Sequence, residues 1–248
     1  MGQKLKSKNR LKQSGGNKVK IAVIAAMSEE LAPLRIFFPS TMVWRRGKTI
    51  IEEVHANLYL VESGIGKTNA AATSAWLCEK IKPDLIINTG TTGAFQSDIP
   101  LGSVIYSPTF LYSDVDATGF GYKVGQVPQM PAQYPVDEAL LQKTATILKQ
   151  AKIDAREGLI VTSDSFMSDL SAIATIRQKF PTIVASDMES AAIAQVAHFY
   201  QIPVLNIRGV SDHVGQEAPE TFEATLELAA NNVVIAVKTL LATGFAIN

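Results

Sequence analysis

Cysteine is almost missing: Cys78 stands alone in 248 residues. That excludes an internal disulfide and leads us to expect a reducing, cytoplasmic compartment. Histidine is scarce as well, and His55, His198 and His213 show no metal-ligand spacing, which argues against zinc or any other bound metal. No uninterrupted apolar run reaches the roughly 18 residues of a membrane helix, so no membrane partner is expected. With 16 Gly and 11 Pro the chain is neither collagen-like nor a low-complexity polymer. A hydrophobic fraction of 47%, a charged fraction of 19% and a mean hydropathy of +0.13 instead fit one globular unit with a buried core.

Acid is absent from the first 20 residues, which carry Lys4, Lys6, Lys8, Arg10, Lys12, Lys18 and Lys20. The remaining residues hold 16 bases against 23 acids, so the body is acidic although the whole chain is neutral. An acidic body argues against nucleic acid as a partner. The basic stretch has no apolar run of the secretory type, is interrupted by Ser14-Gly15-Gly16-Asn17, and reads as a flexible extension over 1–19. A single domain is expected over 20–248.

From residue 21 onward, apolar runs alternate with helical patterns. Ile21-Ala22-Val23-Ile24-Ala25-Ala26 reads as a strand buried on both faces, with Ser28 able to cap the helix that Glu29 and Glu30 open. Segments 42–47, 49–54 and 58–62 resemble short antiparallel strands. A helix is expected from Thr68 to Ile81, with Ala71, Ala72, Ala75, Trp76 and Glu79 at helical spacing, then a strand over 85–88. Thr89-Gly90-Thr91-Thr92-Gly93 reads as a glycine turn and 103–112 as one strand, followed by a long loop over 119–135. Helices at 136–151, 169–179 and 189–200 alternate with strands at 157–162, 182–186 and 203–209. A C-terminal helix over 219–242 carries Phe222, Leu226, Ala229, Val233 and Val237 as its buried stripe. This order predicts an α/β three-layer sandwich, a central mixed, twisted β-sheet with helices on both faces.

Familiar nucleotide and nucleophile motifs fail here. In Gly64-Ile65-Gly66-Lys67-Thr68 the phosphate loop needs a glycine where Val61 stands, and the dinucleotide fingerprint needs one at Asn69. Val61 also occupies the first glycine of a nucleophile elbow around Ser63. What remains is a set of acids at the carboxyl ends of expected strands, where open α/β sheets bind ligands: Glu30, Glu189 and Asp212. Taken one at a time, each is more often structural than catalytic, through ordinary helix capping and first-turn charge.

Five stretches taken together go further. Lys20 to Glu30, Ser63 to Lys67, Pro83 to Gly90, Ser186-Asp-Met-Glu-Ser190 and Arg208-Gly-Val-Ser-Asp212 resemble, in order, the 5′-methylthioadenosine/S-adenosylhomocysteine nucleosidases. The resemblance implies a nucleoside phosphorylase-like fold and a hydrolase that splits the N-glycosidic bond of small-molecule adenine thionucleosides, with no cofactor and as a homodimer. Relatives that use phosphate usually carry an arginine before the central glycine turn; Ile87-Asn88-Thr89-Gly90 has none, which favours water. By the same resemblance Asp212 is the general acid at adenine N7, oriented by Ser211, and Glu30 holds and deprotonates the attacking water. Glu189 grips the ribose hydroxyls, Met188 packs along the sugar, and Arg208 positions water and ribose or else forms a salt bridge beneath the site. Thr91 is a water or ribose contact. Phe166 stacks on the purine, unless it is simply core, while the Met167 backbone reads the N1/N6 edge. Gly119 to Pro131 resembles a segment that reaches a neighbouring subunit. The alternatives are a phosphorylase of the same fold, an aminodeoxyfutalosine nucleosidase, and a non-catalytic purine-binding module.

Overall fold

A computed structural model describes residues 19–55, 57–215 and 217–243. Residues 1–18 of the basic extension lie outside the described residues. Strand β1 (Ile21–Ala25), continuously apolar and almost wholly buried, runs parallel to both β4 (Leu58–Glu62) and β5 (Leu85–Asn88). On the β4 side an antiparallel meander closes the sheet with β3 (Thr49–His55) and β2 (Met42–Arg46). Beyond β5 come β13 (Val204–His213), β6 (Thr91–Ala94), β12 (Ile183–Asp187), β11 (Leu159–Thr162), β8 (Thr109–Tyr112) and β9 (Tyr134–Pro135). Strand β7 (Val104–Ser107) pairs with β13 and carries β10 (Ala155–Glu157) on its other edge. The result is a mixed 13-stranded sheet.

Helices cover both faces. One pair is α1 (Ser28–Phe37) against α6 (Ala218–Ala242), and another is α2 (Lys67–Lys80) against α5 (Ser190–Tyr200). Helix α3 (Glu138–Gln150) packs on α6 and β10, and α4 (Leu170–Lys179) precedes β12. Asp137 and Asp169 start α3 and α4 by accepting N–H bonds from Leu140 and Ala172, the usual work of an aspartate N-cap. Among the described residues α6 is the one helix long and apolar enough to cross a membrane. It instead lays Ala229, Val233, Val237 and Leu240 against the body of the domain, as the core helix of a globular fold does.

Several boundaries differ from the sequence expectation, each for a local reason. The strand expected over 103–112 is two strands, because Pro108 has no N–H for the ladder; the Ser107 hydroxyl bridges the break by donating to Thr109 O at 2.7 Å. The strand expected over 157–162 likewise changes neighbours at Gly158, where a side chain would strike Val184. The glycine turn contains a strand instead, β6, and its pairing extends β13 through Ser211 and Asp212 to His213. Asp212 therefore lies within its strand rather than after it. At the start of α1 Met27, not Ser28, is the cap residue, and the Ser28 hydroxyl accepts from Arg35. Helix α2 buries Ala70, Thr73, Ser74, Leu77 and Cys78, leaving Ala72 exposed and Ala71, Ala75 and Trp76 only part-buried. Phe222 and Leu226 are half-buried, outside the buried stripe of α6.

Candidate active site

The carboxyl ends of β1, β12 and β13 open onto one cavity of about 330 Å³. Glu30, Glu189 and Asp212 all line it, and so do Thr91, Phe166, Met167, Met188, Arg208 and Ser211. All nine residues singled out in the sequence thus meet at one place, although they span more than 180 positions of chain.

Glu30 is 2% exposed and its carboxylate is saturated with donors. Oε2 accepts from the N–H groups of Ala26 and Met27, each at 3.1 Å. Oε1 accepts from the Thr91 N–H at 2.7 Å and from the Thr91 hydroxyl at 2.9 Å. A carboxylate has about four lone-pair sites, so any water that takes its place beside Glu30 competes with these donors. Gly90, at φ +125°, makes the arrangement possible: a Cβ there would lie 2.5 Å from Oε1.

Asp212 sits on the bulge of β13, where the register shifts between Val210 and Asp212. An extra residue in the strand re-aims its side chain, as bulges beside functional sites do. The Ser211 hydroxyl donates to Asp212 Oδ1 at 2.7 Å, and Oδ2 meets no donor among the described residues. Gly93 leaves room for that oxygen, since a Cβ there would stand 2.9 Å from Oδ2. Burial pushes the Asp212 carboxyl above the ordinary aspartate range, against the smaller opposing effects of Ser211 and His213. Asp212 thus lines the cavity with a carboxyl pushed toward its protonated form and one oxygen without a hydrogen-bond partner among the described residues.

Glu189 is the N-cap residue of α5, one position before the helix rather than in its first turn. Its Oε1 accepts from Gly66 N–H at 2.9 Å and its Oε2 from Arg208 at 3.3 Å. Burial pushes its carboxyl up to about 7, although Arg208 pulls the other way. Arg208 is 1% exposed and bridges Glu189 and Asp187, with 3.3 Å to each, while its other nitrogens reach Asn206 Oδ1 and Thr91 O. Asp187 in turn accepts from Thr162, Ser190 and Asn206. The arginine is therefore both the salt bridge beneath the site and part of the cavity wall.

Phe166 is half-exposed and meets Phe222 edge-on, with ring centres 5.9 Å apart and planes at 80°. The Met167 carbonyl accepts from Gly215 N–H at 2.9 Å, and the Met167 N–H has no partner among the described residues.

Comparison with known proteins places this geometry. A family model described as the phosphorylase superfamily matches residues 20–242. A 5′-methylthioadenosine/S-adenosylhomocysteine nucleosidase of Geobacillus sp. (strain WCH70) is 42% identical over 223 residues, covering 86% of this chain and 94% of that protein. The crystal structure of the Neisseria meningitidis nucleosidase in complex with methylthio-immucillin-A superposes with a TM-score of 0.85 at 34% identity, covering 90% of this chain and 99% of that one. The chain belongs to the 5′-methylthioadenosine/S-adenosylhomocysteine nucleosidase family. A further nucleosidase, from Colwellia psychrerythraea 34H in complex with adenine, gives a TM-score of 0.86 at 34% identity, covering 92% and 96%.

The nucleosidase fold also brings to the cavity residues to which the sequence assigned no place in its wall. Ile65, Pro219 and Phe222 join its wall, and Ser186 and Asp187 line it beside Met188. Phe222 was legible only as part of a helical stripe; nothing in the spacing tells the first turns of α6 from the buried ones that follow.

Proposed function

We propose that this cavity binds adenine nucleosides carrying a 5′-thio substituent, 5′-methylthioadenosine and S-adenosylhomocysteine, and hydrolyses their N-glycosidic bond. One observation carries the reading: three acids from distant segments share one cavity, and one of them is held above its ordinary pKa with an oxygen that has no hydrogen-bond partner among the described residues. As the bond to adenine lengthens, electrons move onto the purine and positive charge onto the ribose. Asp212 Oδ2 gives its proton to N7 of the departing base. Phe166 stacks on the purine, and the unpartnered Met167 N–H donates to its N1 edge. Glu189 accepts from the ribose hydroxyls and favours the cationic ring, with Met188 packed along the sugar. Water held by Glu30 and Thr91 attacks the anomeric carbon from the opposite face, and Glu30 takes its proton. The water oxygen ends on the ribose, so the products are adenine and the free thioribose.

Phosphate is the disfavoured nucleophile for an electrostatic reason. Arg208, the one arginine lining the cavity among the described residues, is already matched by two carboxylates at 3.3 Å each. A phosphate anion there would face a site whose charge is negative. The test is adenine release in phosphate-free buffer from methylthioadenosine, S-adenosylhomocysteine and 5′-deoxyadenosine. Release that requires phosphate and yields ribose 1-phosphate would make the protein a phosphorylase, and adenine binding without any turnover would make it a binding module.

We further propose a homodimer of one domain (20–248) in the cytoplasm. The outer side of α2, with exposed Ala72 and part-buried Ala75 and Trp76, supports a subunit contact, as does Phe120, 87% exposed in the segment from Gly119 to Pro131. Cys78 supports a reducing location, since a single cysteine can make no internal disulfide. Sedimentation at micromolar concentration checks the dimer, and a monomer that retains full activity would contradict a site completed by a second subunit.

A further inference from the structure

Helix α2 begins without a cap of its own. Its N-cap position is Gly66, and its first turn holds no acidic residue. The leading N–H groups are met instead by carboxylates far away in sequence. Glu189 Oε1 accepts from Gly66 N–H at 2.9 Å, and Asp164 Oδ1 accepts from Lys67 N–H at 2.7 Å. A helix N-terminus holds such groups by its partial positive charge as well as by hydrogen bonding. Gly66, at φ +95°, lets the chain come this close, since a Cβ there would lie 3.0 Å from Asp164 Oδ1. Asp164 is anchored a second time: its N–H donates to Asp114 Oδ2 at 3.0 Å, the same oxygen that Lys67 Nζ meets at 2.6 Å.

Two parts of the site therefore hang on one helix end. Glu189 is the ribose carboxylate, and the segment that follows Asp164 carries Phe166 and Met167 to the base. Asp164 itself does not line the cavity. We propose that Asp164 is a positioning residue which, through the N-terminus of α2, holds the adenine-binding segment in register with Glu189; this rests on the assignment of base and ribose given above. Base and ribose are joined by the bond that breaks, so a small drift of one binding segment against the other misaligns Asp212 and N7 together. The bond to the Lys67 N–H carries the effect. The Lys67 ammonium is 3.9 Å from Asp164 Oδ2, and the Asp164 side chain is half in solvent, where ion pairs contribute little.

The experiment separates this proposal from the assignment it rests on. Adenine release from methylthioadenosine by the unaltered protein, in phosphate-free buffer, tests the assignment alone. Adenine binding is then measured by calorimetry for Asp164→Ala, Asp164→Asn, Phe166→Ala and the Asp164→Ala/Phe166→Ala pair. Asp164→Ala should weaken adenine about tenfold, as for the loss of a charge-assisted hydrogen bond. Asp164→Asn keeps an oxygen for the Lys67 N–H and should return to within about threefold of the unaltered protein. In the double variant the two losses should fall short of multiplying, because the Phe166 contact is what Asp164 aligns. A role in stability alone would lower the melting temperature and leave the adenine affinity of the folded protein unaltered. That result, or an Asn variant no better than Ala, or losses that multiply fully, overturns the proposal. If the Ala variant does not fold, Asp164→Glu decides: it keeps the charge but moves the oxygens by one methylene, and wild-type adenine affinity in it refutes the alignment.

Discussion

Replacing Glu30 by glutamine removes one negative charge and, less obviously, turns one acceptor into a donor in a place where three of the four partners can only donate. Three of the four groups facing this carboxylate are backbone N–H: Ala26 and Met27 at 3.1 Å and Thr91 at 2.7 Å. The fourth, the Thr91 hydroxyl at 2.9 Å, can rotate to accept. The least costly amide orientation keeps the oxygen on Ala26 and Met27 and turns the NH2 toward Thr91, leaving the Thr91 N–H unsatisfied in a buried site. One such group costs about 1–3 kcal/mol. For a domain of this size that lowers the melting temperature by roughly 2–12 °C. The catalytic loss is separate: without a base for water, adenine release should fall at least about a hundredfold. Both are read on one preparation, by calorimetric melting and by the adenine-release assay. A Glu30→Gln protein that keeps rate within tenfold would refute the base assignment. One that loses rate but melts like the unaltered protein would refute the count of donors.

Asp212→Asn should cost at least about a hundredfold in rate, the usual contribution of general acid catalysis, and near-full activity would remove Asp212 as the acid. Because burial raises the Asp212 pKa, its protonated form stabilises the fold below the ordinary aspartate value, and that contribution is lost as pH rises through the raised one. The Asn variant should therefore gain melting temperature over the unaltered protein at pH 8 and not at pH 4; a constant difference contradicts the raised pKa. Arg208→Met strands two buried carboxylates and should cost about 3–5 kcal/mol, partly recovered by Asp187→Asn, as checked by urea unfolding. A loss under about 1 kcal/mol would show the pair to be solvated. Glu189→Gln should weaken capture of a cationic transition-state mimic at least about a hundredfold while adenine affinity stays within threefold, and equal losses would contradict its role at the ribose.

Much of the architecture is legible in the order of residues. Continuous apolar runs such as Ile21 to Ala25 and Leu85 to Ile87 mark strands buried on both faces, and helical spacing marks α2 to within a residue at each end. Boundaries failed where the chain changes sheet neighbours. At Pro108 and Gly158 the local propensity stays strand-like while the pairing partner switches, and only the partner decides where one strand ends. Thr91 to Ala94 reads as a turn because two glycines flank two threonines, yet it pairs with β12 and β13 and so becomes the strand beside which β13 extends to Asp212.

By itself the order of residues determined the strand-and-helix alternation and the identity of the acids, because periodicity and motif are properties of neighbours along the chain. It left Arg208 divided between two roles and gave Asp164 none. Which groups from separate segments face one another was settled by tertiary contact alone. Glu30 meets Thr91, Arg208 lies between Asp187 and Glu189, and the start of α2 is met by two distant carboxylates. Burial and hydrogen-bond partners, which decide whether a carboxyl keeps or loses its proton, arise only where those distant segments pack together.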